Sequence, residues 1–416
     1  MEKSKTSHLT RRNLLRGAVG VATTASTCAF LRNDAAQGAA PEETKSKDVE
    51  IHQITTNNYD QSNIYGERSW CTPDSRYFVY ERENPLTYWG ANQTEYMVVE
   101  LGTWKQHLLD VGTGRAGCAI HPDGTLYYLK YFYDDNAVYV MRAGLSGKAP
   151  EKLCAPKRHV LTLGTVSPDH RYYAYGSPTD DSWTHFGVFL LDLENGQETT
   201  LDVDPCTCNP HPHFEPGGSG QLMIQWNRGS RFNKFGGRAG TLPDWKGPKS
   251  ATLFLLSVPD GKRTELKIGE PYTTGITGHE AWIGETKEIA ATVVWSGNHT
   301  PEKGNLLAVG AGKPARVIGK GYRFNHLHIS PCARFFVCDD WRPPYKLIMG
   351  SIKTGKTTVL CEQKLNTSTP GYITKMAHGH QYLTPDLKWL IFNSNQTGYG
   401  CIYAARVPED VVKNLL

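Results

Sequence analysis

Long apolar runs are missing from this 416-residue chain. Residues 17–31 come nearest, but they are too short and too polar to span a bilayer, which needs about 20 apolar residues. Net charge is missing from the body. In the first forty residues Lys3, Lys5, Arg11, Arg12, Arg16 and Arg32 meet only Glu2 and Asp34, which accounts for the formal charge of +4 and leaves residues 41–416 neutral. A neutral body carries no electrostatic footprint for nucleic acid, so any anionic partner has to be recognised locally. Cysteines in metal or redox spacing are missing too: of ten, only Cys206 and Cys208 are close, and Cys-x-Cys matches neither a zinc knuckle nor a thiol-disulfide motif. With 39% hydrophobic and 21% charged residues, the chain is also no disordered polymer.

What is present points to β structure: Gly 41, Pro 24, Tyr 21 and Trp 10 supply many turns and many flat side chains. The basic start is set apart from the rest. Thr10-Arg11-Arg12-Asn13-Leu14-Leu15-Arg16, followed by the mildly apolar stretch, resembles the bacterial twin-arginine export signal. Residues 1–47 are therefore read as signal and linker, and residues 48–416 as the mature body, periplasmic or secreted and without a membrane span. Such substrates cross already folded, so the cysteines are expected as small buried hydrophobes rather than disulfides.

The body is a repeat. A Ser/Thr-Pro-Asp-like turn recurs as Thr72-Pro73-Asp74, His121-Pro122-Asp123, Ser167-Pro168-Asp169, Glu215-Pro216-Gly217, Ser330-Pro331-Cys332 and Thr384-Pro385-Asp386. Its prolines lie 46 to 54 residues apart, except for one interval of 115 that holds two units. Gly284-Glu285-Thr286-Lys287 fills that gap, which makes seven. Each turn leads into a β-rich run such as Tyr77-Phe78-Val79-Tyr80, and further strands follow. Four strands per unit at this period predict an all-β fold, a seven-bladed propeller with four-stranded antiparallel blades. Residues 50–55 precede the first unit and can supply the outer strand of the last, closing the ring.

In a propeller the strand before this turn is innermost, so its side chains face the channel. His211, His326 and His380 stand five residues before Pro216, Pro331 and Pro385, and His279 stands five before Gly284. His213, His328 and His378 lie at odd offsets as well, so strand alternation can turn all seven inward. Arg68 and Arg115 bring positive charge from the opposite wall. Clustered neutral imidazoles suit a transition metal, and one outside the coordination shell can act as a base.

At these residues the chain resembles the oligogalacturonate lyases. His378-Gly379-His380 with Thr384-Pro385-Asp386 is similar to the family's His-Pro-His strand and turn. Gly278-His279-Glu280-Ala281-Trp282 is similar to its Thr-His-Glu-Phe-Trp segment, His211-Pro212-His213 to its Gly-His-Pro strand, and Asn325-His326-Leu327 to its Ser-His-Leu strand. The resemblance runs through most of residues 48–412. It implies a seven-bladed propeller that cleaves uronate oligosaccharides by β-elimination with manganese in the funnel. Carried over by position, His279, His378 and His380 would be ligands and His211 the base. The family's fourth ligand, a glutamine, falls at Lys375, so either Gln381, Asn325 or water completes the shell, or Lys375 itself neutralises the substrate carboxylate and metal binding is lost.

The C5 proton of a uronate is too weakly acidic for an unaided imidazole, and a cation or arginine on the neighbouring carboxylate stabilises the developing enediolate. Arg68, Arg115, Arg228, Arg231 and Arg238 are candidates for holding that carboxylate bidentately. Arg228 joins His211 and Lys375 as candidate catalytic residues, and Arg68, Arg115, Arg231, His213 and His326 are candidate substrate-binding residues. Residues 233–249 form a Gly- and Pro-rich insertion, either a surface loop or a wall over the site with Trp245 as a stacking face. Two alternatives stay open: a non-enzymatic propeller that binds a glycan or protein, and a redox-metal propeller.

Overall fold

The structure, a computed structural model, describes residues 49–56, 60–83, 90–233, 238–365 and 378–416. The twin-arginine segment and Lys375 lie outside the described residues, as does part of the insertion at 233–249. Seven four-stranded antiparallel sheets follow one another along the chain. The inner strands of blades 1 to 7 are Gln61–Ser62, Ala119–Ile120, Thr165–Val166, His213–Phe214, Ile276–Trp282, Phe324–Ile329 and Tyr382–Leu383. In blades 1 to 6 the next three strands come in sequence order outward, and in blade 4 a small hairpin, Ser230–Phe232 with Arg238–Thr241, branches from between strands two and three.

Blade 7 takes its outer strand from the other end of the chain. Ile51–Gln53 pairs antiparallel with Tyr403, Ala404 and Ala405 of strand Cys401–Arg406. A ring with no open sheet edge between first and last blade is the expected remedy for edge strands. Packing reinforces this closure: Tyr382, Ile391 and Ile402 of blade 7 share one core with Phe78 and Val98 of blade 1 and Leu126 of blade 2.

The seven turns are one structure repeated. Two residues after the proline six of them turn left-handed, at Ser75, Gly124, His170, Gly218, Ala333 and Leu387, and the fifth turn does so three residues after Gly284, at Lys287. In blades 1 and 7 the turn threonine donates from its hydroxyl to the turn aspartate, Thr72 to Asp74 at 2.5 Å and Thr384 to Asp386 at 2.7 Å; Ser167 and Asp169 do the same in blade 3. Local hydrogen bonds of this kind are why so short a motif reads through the sequence.

The second and third strands supply the packing between blades, as in Phe186–Asp192 and Phe335–Asp340, all of whose residues are buried. Each large side chain so buried is worth about 1.5–3 kcal/mol. A short helix, Glu409–Leu415, which the sequence pattern does not predict, buries Val411 and Leu415 against a core that includes Phe335 and Leu390. Among the described residues no helix is long and apolar enough to cross a membrane, and the nine cysteines are free, six of them buried. Trp245 stacks edge-on against Trp226 at 5.9 Å and donates its Nε1–H to Pro248 O, so it caps its own loop.

Candidate active site and metal centre

Blades 4 to 7 share an irregularity at the histidine position. In blade 5 the register slips between Ile276 and Glu280, and in blade 6 between Phe324 and Leu327. In blade 4 His213 pairs with Met223 while Pro210 O accepts the Gln225 N–H. In blade 7 Tyr382 pairs with Ile391 while Gly379 O accepts the Asn393 N–H. Either way the inner strand carries extra residues, one in blades 4, 6 and 7 and two in blade 5. Such bulges re-aim side chains, and His211, His279, His326 and His380 all sit in them. His211 and His380 have left-handed backbones, at φ 40° and 39°, a conformation uncommon outside glycine. Gly66 of blade 1 presses on this last turn, since a Cβ there would stand 2.9 Å from the His380 Cα and carbonyl carbon.

The imidazoles meet around Tyr65. Its ring centroid lies 4.8 Å from His380, 5.6 Å from His211 and 6.3 Å from His279. His279 and His326 are 4.4 Å apart and His326 and His378 4.5 Å, ring to ring. His326 is fixed from behind: Asp339 accepts its Nδ1–H at 2.5 Å and its backbone N–H at 2.7 Å. Its Nε2 then faces His378 Nδ1 at 2.7 Å. Coordinating nitrogens of His326, His378 and His380 all fall within 4.8 Å of one another, and so do ligand atoms of Glu67, His211 and Glu280.

Burial controls the charge here. It drives His211 down to about 4 and His378 to about 3, where the charge of His326 also contributes. His213, His279 and His380 are pushed well below the usual histidine range by burial, then by neighbouring positive groups, Arg68 for His213 and Arg115 for His380. Burial pushes the Glu67 and Glu280 carboxyls upward, and for Glu67 the charge of Glu280 adds to it. The lining at neutral pH is thus neutral imidazole and carboxyl groups disposed to hold protons. Glu67 stands 3.2 Å from His213 Nε2 and 3.5 Å from His279 Nδ1, and Glu280 stands 3.8 Å from His211 Nδ1. Yet the oxygens of both carboxyls, His211 Nδ1 and His380 Nδ1 are buried without a well-formed hydrogen bond. Unpaired buried nitrogen and oxygen donors with available lone pairs are the chemistry that a divalent cation accepts.

The arginines separate. Arg68 is beside Glu67 and donates to Thr165 Oγ1 at 2.9 Å, with burial lowering it to about 10. Arg115 forms an ion pair with Glu81 and donates to Ser62 Oγ at 3.1 Å, close enough for its charge to depress His378 and His380. Arg228 is elsewhere. It is 2% exposed, and its guanidinium donates to Ser250 O, Ser250 Oγ and Tyr272 O, tying blade 4 to the approach to blade 5. Arg231 and Arg238 brace the small hairpin through Ala239 O and Ser230 Oγ. His328 lies buried near Ser69 Oγ at 3.5 Å, and His213 is buried with its Nε2 facing Glu67.

Four residues of the site escape the sequence pattern. Tyr65 and Glu67 come from residues 63–69, which are not a strand, so alternation says nothing about them. Glu280 lies next to a bulge. Trp341 follows the second strand of blade 6 and stands 5.2 Å from His326 and 5.4 Å from His378, a flat apolar face beside the cluster. The only signal for Glu280 was its place beside His279.

No family model matches the chain, and no curated protein does. Among solved structures it is similar to an oligogalacturonate lyase from Vibrio parahaemolyticus, with a TM-score of 0.66, 15% identity and coverage of 87% of this chain and 94% of that one. It is likewise similar to an oligogalacturonate lyase in complex with manganese, with a TM-score of 0.65, 15% identity and coverage of 90% and 97%. The chain therefore has the seven-bladed fold of those lyases.

Proposed function

We propose that this protein is an exported lyase that cleaves uronate-containing oligosaccharides by β-elimination, with a divalent cation such as manganese held by His279, His378 and His380. The observation that carries the reading is the convergence around Tyr65 of imidazoles from blades 4, 5 and 7, two of which, His211 and His380, keep a buried nitrogen without a hydrogen bond. A bound cation would supply the positive charge that stabilises the enediolate. Gln381 is the candidate fourth donor: its amide nitrogen is spent on His326 O at 2.7 Å, and its Oε1 is buried and unpaired. Gly379 leaves room for that oxygen, since a Cβ there would meet it at 2.6 Å. The twin-arginine segment supports a periplasmic or secreted location.

His211 is the base. With Nδ1 directed toward Glu280, Nε2 is left to take the C5 proton, whose electron pair forms the C4–C5 double bond as the C4–O4 bond breaks. An imidazole held at about 4 is a weak base. Glu280, 3.8 Å away, is held protonated by burial, and its ionisation would strengthen that base, so turnover should rise with pH as the carboxyl loses its proton. Arg115 and Arg68 flank the channel as carboxylate partners, and Trp341 offers a stacking face for a sugar ring. His326, anchored by Asp339, fixes the orientation of His378.

The test is direct. Oligogalacturonate and other uronate oligomers, supplied with Mn²⁺, should give an ultraviolet absorbance rise from unsaturated uronate, and His211→Ala should slow it about 10²- to 10⁴-fold. No rise with any uronate oligomer would remove the proposal.

A further inference from the structure

The turn end of the inner strands, opposite the histidine channel, holds a second cluster. His121 stands where blades 1, 3 and 7 place Thr72, Ser167 and Thr384, whose hydroxyls donate to the turn aspartate. In blade 2 an imidazole takes over. Its Nδ1 lies 2.8 Å from Asp123 Oδ1, and its Nε2 lies 3.1 Å from Pro168 O on the turn of blade 3. With Nε2–H given to the carbonyl, Nδ1 keeps its lone pair, which accepts the Asp123 backbone N–H at 3.2 Å and lies beside the Asp123 carboxylate, so the two offer adjacent ligand atoms to a cation.

His170, from the blade 3 turn, supplies the same arrangement. Its Nε2 is 3.2 Å from the other oxygen of Asp123, its ring centroid is 3.6 Å from that of His121, and its Nδ1 is 2.7 Å from Tyr127 OH. Ligand atoms of the three residues fall within 4.8 Å of one another. In metal sites each histidine gives its second N–H to a carbonyl, hydroxyl or carboxylate, which aims the remaining lone pair at the ion. Pro168 O and Tyr127 OH are placed to do that. Asp123 is 49% exposed, so an ion can arrive from solvent and keep water in a fourth position. The nearby cation, Arg142, is itself paired with Glu151 at 2.7 Å.

We propose that His121, Asp123 and His170 bind a divalent transition-metal ion of the zinc class, clipping the turn of blade 2 to the turn of blade 3. Two imidazoles and a carboxylate suit such an ion rather than calcium or magnesium, which prefer all-oxygen shells. The site is separate from the channel and does not depend on the lyase reading.

The experiment is calorimetric titration of chelator-stripped full-length protein with Zn²⁺ in a background where His378→Ala and His380→Ala silence the channel. One equivalent should bind. His121→Ser, which installs a residue the neighbouring turns already use, should abolish that equivalent, and Tyr127→Phe should weaken it about 10- to 100-fold. No zinc uptake by the channel-silenced protein, or uptake unchanged by His121→Ser, would overturn the site. If the double variant does not fold, wild type against His121→Ser decides: a loss of one equivalent supports the site, and equal stoichiometry refutes it.

Discussion

Replacing His328 by glutamine should flatten the pH dependence of stability by a calculable amount. His328 is 0% exposed, and burial brings it from 6.5 to about 3. The unfolded chain takes up a proton on this residue as pH falls through 6.5, whereas the folded chain does not until about pH 3. The unfolded state therefore binds more protons across that window, and acid favours unfolding. The slope is about 1.4 kcal/mol per pH unit inside the window, and integration from pH 7 to pH 5 gives about 2 kcal/mol. Other channel groups also titrate: buried His211 and His378 act in the same direction, while Glu280, with its raised carboxyl, acts in the opposite one. Comparing wild type with His328→Gln cancels them, because no other titrating side chain is among the causes acting on His328. The assay is urea unfolding of chelator-treated protein at pH 7, 6 and 5. Wild type should lose about 2 kcal/mol more than the variant between pH 7 and pH 5. Equal losses would mean that the imidazole is not held neutral, and the argument from burial would fail for the rest of the channel.

Three further outcomes follow from named contacts. Gly66→Ala puts a methyl group 2.9 Å from the His380 backbone. It should cost about 1–3 kcal/mol in denaturant melts and lower manganese affinity in the channel, and unchanged affinity would show that the turn yields freely. Asp339→Asn replaces the acceptor of His326 Nδ1–H by a group of equal size. Stability should fall by about 1.5–3 kcal/mol, and lyase turnover should fall with it; a variant stable and active as wild type would contradict the anchoring role. His52→Pro breaks the closing strand opposite Ala404. Losing that ladder bond should destabilise the fold by about 1–3 kcal/mol, read from the unfolding midpoint, whereas no change would mean that core packing alone closes the ring.

Legibility in the sequence follows locality. In six of the seven turns the closing backbone hydrogen bond spans no more than five residues, so the recurring motif announces seven blades, and residues 50–55 contain the strand Ile51–Gln53 that closes the ring. The channel histidines were also visible, because each stands at a fixed distance from its turn. Alternation was the wrong reason for their convergence, however: bulges turn them inward, and a bulge depends on the partner strand rather than on the sequence that carries it. Tyr65, Glu67 and Trp341 come from segments with no periodicity. Arg228 looked chemically apt, but its charge is spent on backbone carbonyls that only the folded chain brings near. His121 marked a turn and nothing more until blade 3 placed His170 against it.

The central claim is that imidazoles from separate blades hold one cation on the propeller axis. Anomalous diffraction from crystals of the protein soaked in Mn²⁺ tests it most directly. A single strong channel peak bounded by nitrogens of His279, His378 and His380, beside Tyr65, is the expected result. A channel with no peak, or a peak outside that set of nitrogens, would contradict it.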